Sequence, residues 1–361
     1  MILYFLIFTL TFCLALVSIQ RQPSYVDGVY DSRIYLDWLF IIFLFSIFVG
    51  LREKVGGDWD IYLEHHFEAS NGDLLGTIQK FGDPGYYLLD WIFANLGASI
   101  HIVNFICAII FISGLSFFCR TLPRPLLGLA VAIPYLIIVV GMGYTRQSVA
   151  IGFAMIAITN LINQKTFKFI LFVFFAMLFH KSAIIFLVLG LISRSGNTLI
   201  TFFGMLLLGI IGFYLFLDSY IDQLYQNYIL AESNSAGAFV RLLMNFFPAV
   251  IFLILRKSMN LPEIEYGLYT WMSWASVALF ILFFLTNAST ALDRVALYMI
   301  PLQLAVFSRI PSLNGSDIFS KSISFLLIIF FYLVVMMVWL NFANHADLWI
   351  PYDNILFKIL T

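Results

Sequence analysis

The stretch VVGMGYTRQSVAIGF, residues 139–153, joins two apolar segments through a short polar break. The residues up to Gly143 are apolar, and the residues after Ser148 are apolar again. Each segment approaches the length of about 20 residues that spans a bilayer. Arg146 therefore lies at the mouth of a predicted membrane helix, where a charge is costly unless it faces a cavity or binds an anion.

The composition of the whole chain is typical of a membrane protein. Of its 361 residues, 62% are hydrophobic and only 11% are charged. A soluble domain of this size cannot bury so much apolar surface. We therefore predict an all-α, polytopic helical integral membrane protein that forms a single domain over residues 1–361. The net charge of −1 gives no indication of nucleic-acid binding.

Apolar runs along the chain predict about twelve membrane spans. They lie near 2–19, 36–51, 98–118, 126–142, 145–162, 166–180, 182–193, 198–217, 240–255, 267–286, 290–309 and 320–340. The first apolar run is not preceded by a basic region, which indicates a retained span rather than a cleaved signal peptide. The three cysteines have no ligand spacing and predict neither disulfides nor a metal site.

Lysine and arginine residues in the loops predict the orientation of the chain. One set of loops has a basic excess, which is typical of the cytoplasmic side. Its basic residues are Arg21, Arg33, Arg120, Arg124, Lys165, Lys168, Arg194, Arg256, Lys257, Arg309 and Lys321. Loops near 52–97 and 218–239 and the tail 341–361 are then outside, with loop helices and an interfacial tail helix.

Several cations nevertheless lie on the side that should be poor in them. They are Arg52, Lys54, Lys80, Arg146, Lys181, Arg241, Arg294 and Lys358. A guanidinium binds phosphate oxygens in a bidentate way. Arg146, followed by Gln147, opens a helix whose N-terminal N–H groups would face the same anion. For Arg241, structural pairing explains the sequence equally well.

The segment GLREKVGGDWDIYLEHHFE, residues 50–68, contains a glycine pair that permits a tight turn. Asp58 is placed to cap the helix that follows, and Tyr62 lies one turn further on the same face. Asp58 and Asp60 also match the Asp-x-Asp pattern with which some glycosyltransferases hold a divalent metal. Because so short a match is frequent by chance, we predict no metal site and interpret Asp60 as a solvated acid.

The segment MLFHKSAIIF, residues 177–186, breaks an apolar stretch with His180 and Lys181. A lone intramembrane histidine is often only a satisfied polar group. Here a lysine follows it, and both lie on the predicted outer side with Arg146. A neutral imidazole in that position can accept a proton from a hydroxyl.

The segment NASTALDRVALYMIP, residues 287–301, opens another helix on the predicted outer side. Arg294 lies at its start, and Tyr298 follows one turn later. A structural pair between Asp293 and Arg294 is the alternative explanation for this arrangement.

Together these segments resemble the EpsG/Wzy-type family of exopolysaccharide and O-antigen polymerases. The resemblance rests on GLREKVGGDWDIY, TRQSVAIGFAMIAI, FHKSAII and DRVALY in this order, and on Pro351-Tyr352 in the tail. Gly57 stands where threonine is expected, and Asp353 stands where a basic residue is usual.

The resemblance implies a GT-C-like membrane fold and an inverting glycosyltransferase without a cofactor. Such an enzyme joins repeat units at the outer face of the bacterial cytoplasmic membrane in the synthesis of exopolysaccharide, capsule or O-antigen. Donor and acceptor would both be undecaprenyl-diphosphate-linked oligosaccharides. Membrane lipids, a chain-length regulator and a flippase of the same pathway are the further expected partners, and no nucleic acid is involved.

The catalytic residues are then expected to be His180, Asp58 and Arg146. His180 is favoured as the base because its reference pKa of about 6.5 lies nearer the working pH than the value of about 3.9 for aspartate; Asp58 is the alternative. The expected substrate-binding residues are Arg52, Tyr62, Gln147, Lys181, Arg241, Arg294 and Tyr298.

A flippase for the same lipid-linked oligosaccharide is the main alternative function. It would need the same cations and the same apolar groove, but with charge compensation along its whole path. A membrane acyltransferase and a scaffolding subunit are further alternatives, although a scaffold gives no reason for Arg146 at a helix mouth.

Overall fold

The computed structural model describes residues 1–18, 25–26, 29–30, 36–193, 237–286, 289–313 and 318–360. Its helices are α1 (Ile2–Val17), α2 (Leu36–Gly50), α3 (Trp59–Asn71), α4 (Leu74–Phe81), α5 (Pro84–Asn95), α6 (Ile100–Cys119), α7 (Pro125–Gly143), α8 (Thr145–Ile162), α9 (Thr166–Phe179), α10 (Ile185–Ser193), α11 (Ala238–Leu255), α12 (Glu263–Leu285), α13 (Ser289–Leu313), α14 (Ile318–Phe342) and α15 (Ile355–Leu360). Two short strands, Tyr25–Val26 and Val29–Tyr30, pair antiparallel.

Seven of the described helices are long and apolar enough to cross a membrane: α6, α7, α8, α11, α12, α13 and α14. A polytopic helical membrane protein is therefore confirmed, but about twelve spans are not. Helices α1, α2 and α9 have 16, 15 and 14 residues, fewer than the about 20 that cross a bilayer untilted. The span near 198–217 lies outside the described residues, and the GT-C-like fold stays a prediction.

Helices α6 and α8 pack backbone against backbone through two glycines. A Cβ atom on Gly114 would lie 2.2 Å from the carbonyl oxygen of Gly152, and one on Gly152 would lie 2.8 Å from Cα of Phe111. Small residues at such a crossing let membrane helices approach closely. This contact fixes the start of α8, and with it Arg146, relative to the outer segment between α2 and α6.

A buried hydrogen-bond network joins α11, α13 and α14. Gln303 Nε2 donates to Asn245 Oδ1 at 2.7 Å, and Tyr332 Oη donates to Gln303 Oε1 at 2.7 Å. Asn245 Nδ2 in turn donates to the carbonyl of Ala296 at 2.8 Å. Since an unsatisfied polar group in the membrane interior is costly, this network holds the three helices in one arrangement.

The segment near 52–97, which was predicted to lie outside, is helical and contains α3, α4 and α5. Of the predicted outer loop 218–239, residues 218–236 lie outside the described residues. The tail differs from the predicted interfacial helix, which is limited to α15. Before it, residues 346–355 form a C-terminal strap, and Trp349 in this strap is only 2% exposed.

Candidate active site

Residues from distant parts of the chain meet at one end of the helix bundle. They come from the start of α3, the turn before α5, the start of α8, the break after α9 and the first turns of α13. One link is direct: Gln147 Nε2 donates to the backbone carbonyl of Arg294 at 2.7 Å. This hydrogen bond attaches α13 to the start of α8 beside Arg146.

Arg146 is held by one acid and two aromatic rings. Its Nη1 donates to Oδ2 of Asp83 at 2.8 Å, and its Nε donates to Oη of Tyr62 at 3.3 Å. The guanidinium also lies 5.7 Å from the ring centroids of both Tyr62 and Tyr87, within cation–π range. Because 26% of its side chain is exposed, Arg146 is ordered and still accessible to an anion.

Asp83 belongs to a tight turn of sequence GDPG before α5, and sequence analysis did not single it out. Gly82 and Asp83 have φ angles of +73° and +41°, in the left-handed region that aspartate tolerates better than most residues. A Cβ on Gly85 would lie 2.9 Å from Cβ of Leu178, so this glycine lets the turn approach the end of α9. The Asp83 carboxylate there accepts the backbone N–H of Lys181.

His180 forms the break that follows α9. Its Nδ1 lies 2.5 Å from Oγ of Ser182 and 3.4 Å from Oη of Tyr298. The imidazole is 9% exposed, and Tyr298 is fully buried behind it. Tyr298, which was predicted to bind substrate, therefore supports His180 instead of facing a cavity.

A cavity of about 930 Å³ lies between α11, α14 and the strap, and Arg146 and His180 are not among the residues that line it. Most of its wall is apolar. Apolar lining residues include Val240, Met244, Phe247, Leu297, Phe331, Val334, Val338 and Phe342. Polar side chains that reach the same cavity include Asp58, Arg294 and His345. The cavity thus joins an apolar wall to charged groups.

Asp58 is partly buried and lines this cavity. It precedes α3 at the N-cap position, but its side chain makes no capping hydrogen bond, so the predicted capping role is wrong. Burial raises the pKa of Asp58, and the positive charges of Arg146, Arg294 and Arg52 oppose that rise. A carboxylate of this kind is a stronger base than an exposed one.

Arg52 does not face the cavity, contrary to the sequence-based prediction that it binds substrate. It is 1% exposed. Its Nε, Nη1 and Nη2 donate to the carbonyls of Val55 and Val49 and to Oγ1 of Thr145, at 3.0, 2.8 and 2.9 Å. Nor does it pair with Asp58. Arg52 instead satisfies carbonyls at the end of α2 and ties them to the start of α8.

Arg241 also differs from its predicted role. Its Nε and Nη2 bind Oδ1 and Oδ2 of Asp293 at 2.5 and 2.7 Å, and each side chain is 7% exposed. Asp293 thus pairs with Arg241. The bidentate pair lies in the cavity wall and carries no net charge toward a ligand.

The Asp-x-Asp pattern does not form one site. Asp58 lines the large cavity, whereas Asp60 lines a separate pocket with Glu64 and His66. His66 itself is bonded to Asp90, with 2.6 Å between Nδ1 and Oδ1. Among the described residues, no group of three or more His, Cys, Asp and Glu side chains is arranged to hold a metal ion.

The turn that carries Asp58 is clamped between α7 and the C-terminal strap. The N–H of Gly56 donates to the carbonyl of Leu348 at 2.9 Å. Trp349 packs on Gly143 so closely that a Cβ there would lie 2.5 Å from its ring. The same indole donates from Nε1 to the carbonyl of Ile138 at 2.9 Å. Trp349 is therefore a positioning residue that sequence analysis treated only as interfacial.

The glycine pair before Asp58 provides a stability test. Gly56 has a φ of +106°, and a Cβ there would lie 2.2 Å from the carbonyl oxygen of Met142. We expect Gly56→Ala to lower the free energy of unfolding by about 3 kcal/mol, from backbone strain and overpacking together. Thermal unfolding of the purified protein in detergent measures it.

The neighbouring glycine is the matched control. A Cβ on Gly57 would meet Trp349 at 3.8 Å, an ordinary contact, so Gly57→Ala should change stability by less than about 0.5 kcal/mol. Equal losses in both variants would contradict this account of the turn.

The fold and the site together define a polytopic helical membrane protein with an apolar cavity and a cationic cluster, which consists of Arg146, Lys181 and Arg294. Residues 35–354 match the EpsG family, and the chain therefore belongs to that family. At a coarse level, this membership indicates an exopolysaccharide-related polymerase of the glycosyltransferase kind. No curated protein and no solved structure matches the chain.

Proposed function

We propose that this protein is a polysaccharide polymerase that joins undecaprenyl-diphosphate-linked oligosaccharide repeat units. The acceptor hydroxyl at the non-reducing end of one unit attacks the anomeric carbon of the other, whose bond to the diphosphate oxygen breaks. The configuration inverts, and undecaprenyl diphosphate leaves. The observation that carries the proposal is the cavity that joins an apolar wall to Asp58 and Arg294.

The apolar wall suits a polyprenyl chain. Helices α11 and α14 line it with Val, Phe, Met and Leu side chains, whose burial against an isoprenoid is favourable. The network of Asn245, Gln303 and Tyr332 holds these helices apart at a fixed distance. A lipid-linked substrate can therefore enter from the side with its chain between α11 and α14.

The cations suit the diphosphate. Negative charge builds on the departing diphosphate as the glycosidic bond breaks, and fixed cations lower the barrier when they are already in place. Arg294 reaches the cavity. The positive charges of Arg146 and Arg294 both oppose the rise in the pKa of Asp58, which supports a common role for the three groups.

Asp58 is the better candidate for the base, which reverses the sequence-based preference for His180. Its carboxylate lines the cavity and makes no capping hydrogen bond to the start of α3. The Nδ1 atom of His180 already faces Ser182, and the ring does not line the cavity. We propose that His180 orients the cationic cluster and that Asp58 accepts the hydroxyl proton.

A site at the outer face of the bacterial cytoplasmic membrane completes the proposal. The site residues lie at the helix ends opposite Arg124, which belongs to the predicted loops with a basic excess, and opposite Arg309, which is buried near the end of α13. Arg309 pairs there with Glu265 at 2.6 Å. A flippase is the alternative, but it would need compensating charge along the whole path, whereas Arg146, Lys181 and Arg294 act on one carboxylate, that of Asp83.

The pH dependence of chain extension tests the base. A base must be ionised, so the rate should rise with pH through its pKa. Because burial raises the pKa of Asp58, the acidic limb should lie above the ordinary aspartate value of about 4. A limb centred near 6.5 that His180→Asn abolishes would instead assign the role to the imidazole.

The direct test is incubation of the purified protein with synthetic lipid-linked repeat units. A ladder of products that grows by one repeat unit at a time is the expected result. Transfer of intact units across a vesicle membrane without new glycosidic bonds would identify a flippase and contradict the polymerase.

A further inference from the structure

Asp83 interacts with the cations that the proposed function assigns to the diphosphate. Its Oδ2 accepts from Arg146 Nη1 at 2.8 Å, and its carboxylate also accepts the backbone N–H of Lys181. Burial raises the pKa of Asp83, while the charges of Arg146, Lys181 and Arg294 oppose that rise. The carboxylate thus occupies the point where three positive charges act together.

The Arg146–Asp83 pair differs from the other arginine–carboxylate pairs among the described residues. Arg241–Asp293 is bidentate and 7% exposed on each side, and Arg309–Glu265 is 6% and 2% exposed. In the Arg146–Asp83 pair, a single contact joins side chains that are 26% and 12% exposed. The Arg146–Asp83 pair is therefore more accessible to an incoming anion than these two pairs.

A carboxylate and a phosphate use the same donors. Both present negatively charged oxygens to a guanidinium fork and to backbone N–H groups. A cluster of cations in a low-dielectric site is costly when nothing compensates it. An anion supplied by the protein lowers that cost while the substrate is absent.

We propose that Asp83 is a placeholder anion, which neutralises Arg146 in the empty site and yields it to the diphosphate of the lipid-linked substrate. After transfer, Asp83 returns to Arg146 and helps to displace the diphosphate product. The inference rests on the proposed function only in taking a diphosphate as the anion. It makes Asp83 a positioning residue that tunes affinity and product release.

The test measures the binding of inorganic pyrophosphate to the purified full chain by calorimetry. Asp83→Asn keeps an oxygen acceptor and a residue that tolerates the left-handed turn, but it removes the competing charge. We expect about ten-fold tighter pyrophosphate binding than in the wild type. Asp60→Asn removes the same charge from the neighbouring pocket and should leave the affinity within about two-fold.

The sign of the change separates this role from a structural one. If Asp83 only held Arg146 in place, its loss would weaken pyrophosphate binding; weaker or unchanged binding in Asp83→Asn therefore overturns the proposal, as does equal tightening in Asp60→Asn. Should Asp83→Asn fail to fold, Asp83→Ser tests the same sign, since serine is favoured before a helix.

The outcome is also separable from that of the proposed function. If wild-type protein does not extend lipid-linked units but Asp83→Asn binds pyrophosphate more tightly, the placeholder role of Asp83 is supported and the proposed polymerase function is contradicted. If chains are extended and Asp83→Asn shows no tightening, the polymerase stands and the placeholder fails. Failure of both the wild type and Asp83→Asn to bind pyrophosphate overturns the placeholder.

Discussion

Replacing Arg146 with lysine should slow chain extension about 100-fold, although the positive charge is kept. The guanidinium contacts Asp83 and Tyr62 through separate nitrogens and lies over two tyrosine rings. An ammonium is a compact point charge and cannot reproduce this planar set of contacts. Loss of one well-placed contact to a developing anion costs about 3 kcal/mol, which corresponds to this change in rate.

The matched control is the same substitution at the opposite end of the bundle. Arg256 lies 5.5 Å from the ring centroid of Tyr266, so Arg256→Lys also removes a guanidinium from an aromatic ring but leaves the site intact. Chain extension by purified variants, normalised to folded protein, is the measurement. Rates for Arg146→Lys within three-fold of those for Arg256→Lys would show that Arg146 does not act on the diphosphate.

Replacing Asp58 with asparagine should reduce the rate at least about 100-fold, the usual contribution of a positioned general base. The amide keeps the size of the side chain but cannot take the hydroxyl proton. His180→Ala should retain more activity, because the imidazole contacts Ser182 and Tyr298 and does not line the cavity. Comparing these two variants by rate of chain extension, with folding checked by thermal unfolding, identifies the base.

Two outcomes would change the mechanism. An inactive His180→Ala with an active Asp58→Asn would assign the base to the imidazole. Near wild-type rates in both variants would show that no base is needed, since a diphosphate leaves readily once cations such as Arg146 stabilise it. Each outcome leaves the identity of the leaving group unchanged.

Arg146, His180 and Arg294 could be singled out from the sequence because each breaks an apolar run at a predicted helix end. Such interruptions are visible along the chain, and their shared side follows from counting spans. Arg52 interrupts an apolar run in the same way, yet its Nη2 partner is Thr145, 93 positions away. The sequence around Arg52 contains no sign of that hydrogen bond.

Asp83 was missed for a related physical reason. The GDPG segment is typical of an ordinary surface turn, and its position beside Arg146 depends on the close approach of Gly85 to Leu178 at the end of α9. That contact joins segments far apart in the chain. The count of about twelve spans stays a prediction, because hydropathy responds to apolar composition and α1, α2 and α9 are apolar but short, while the span near 198–217 lies outside the described residues.

The strap has a consequence for how the protein is made. Tyr4 Oη donates to the carbonyl of Trp349 at 2.8 Å. This hydrogen bond of the first helix can form only after a residue 345 positions later in the chain has been synthesised. Until the strap has been translated, the turn before Asp58 lacks the hydrogen bond from Gly56 to Leu348 and is held only from the side of α2, α7 and α8. The position of Asp58 is therefore completed by the last part of the chain to be synthesised.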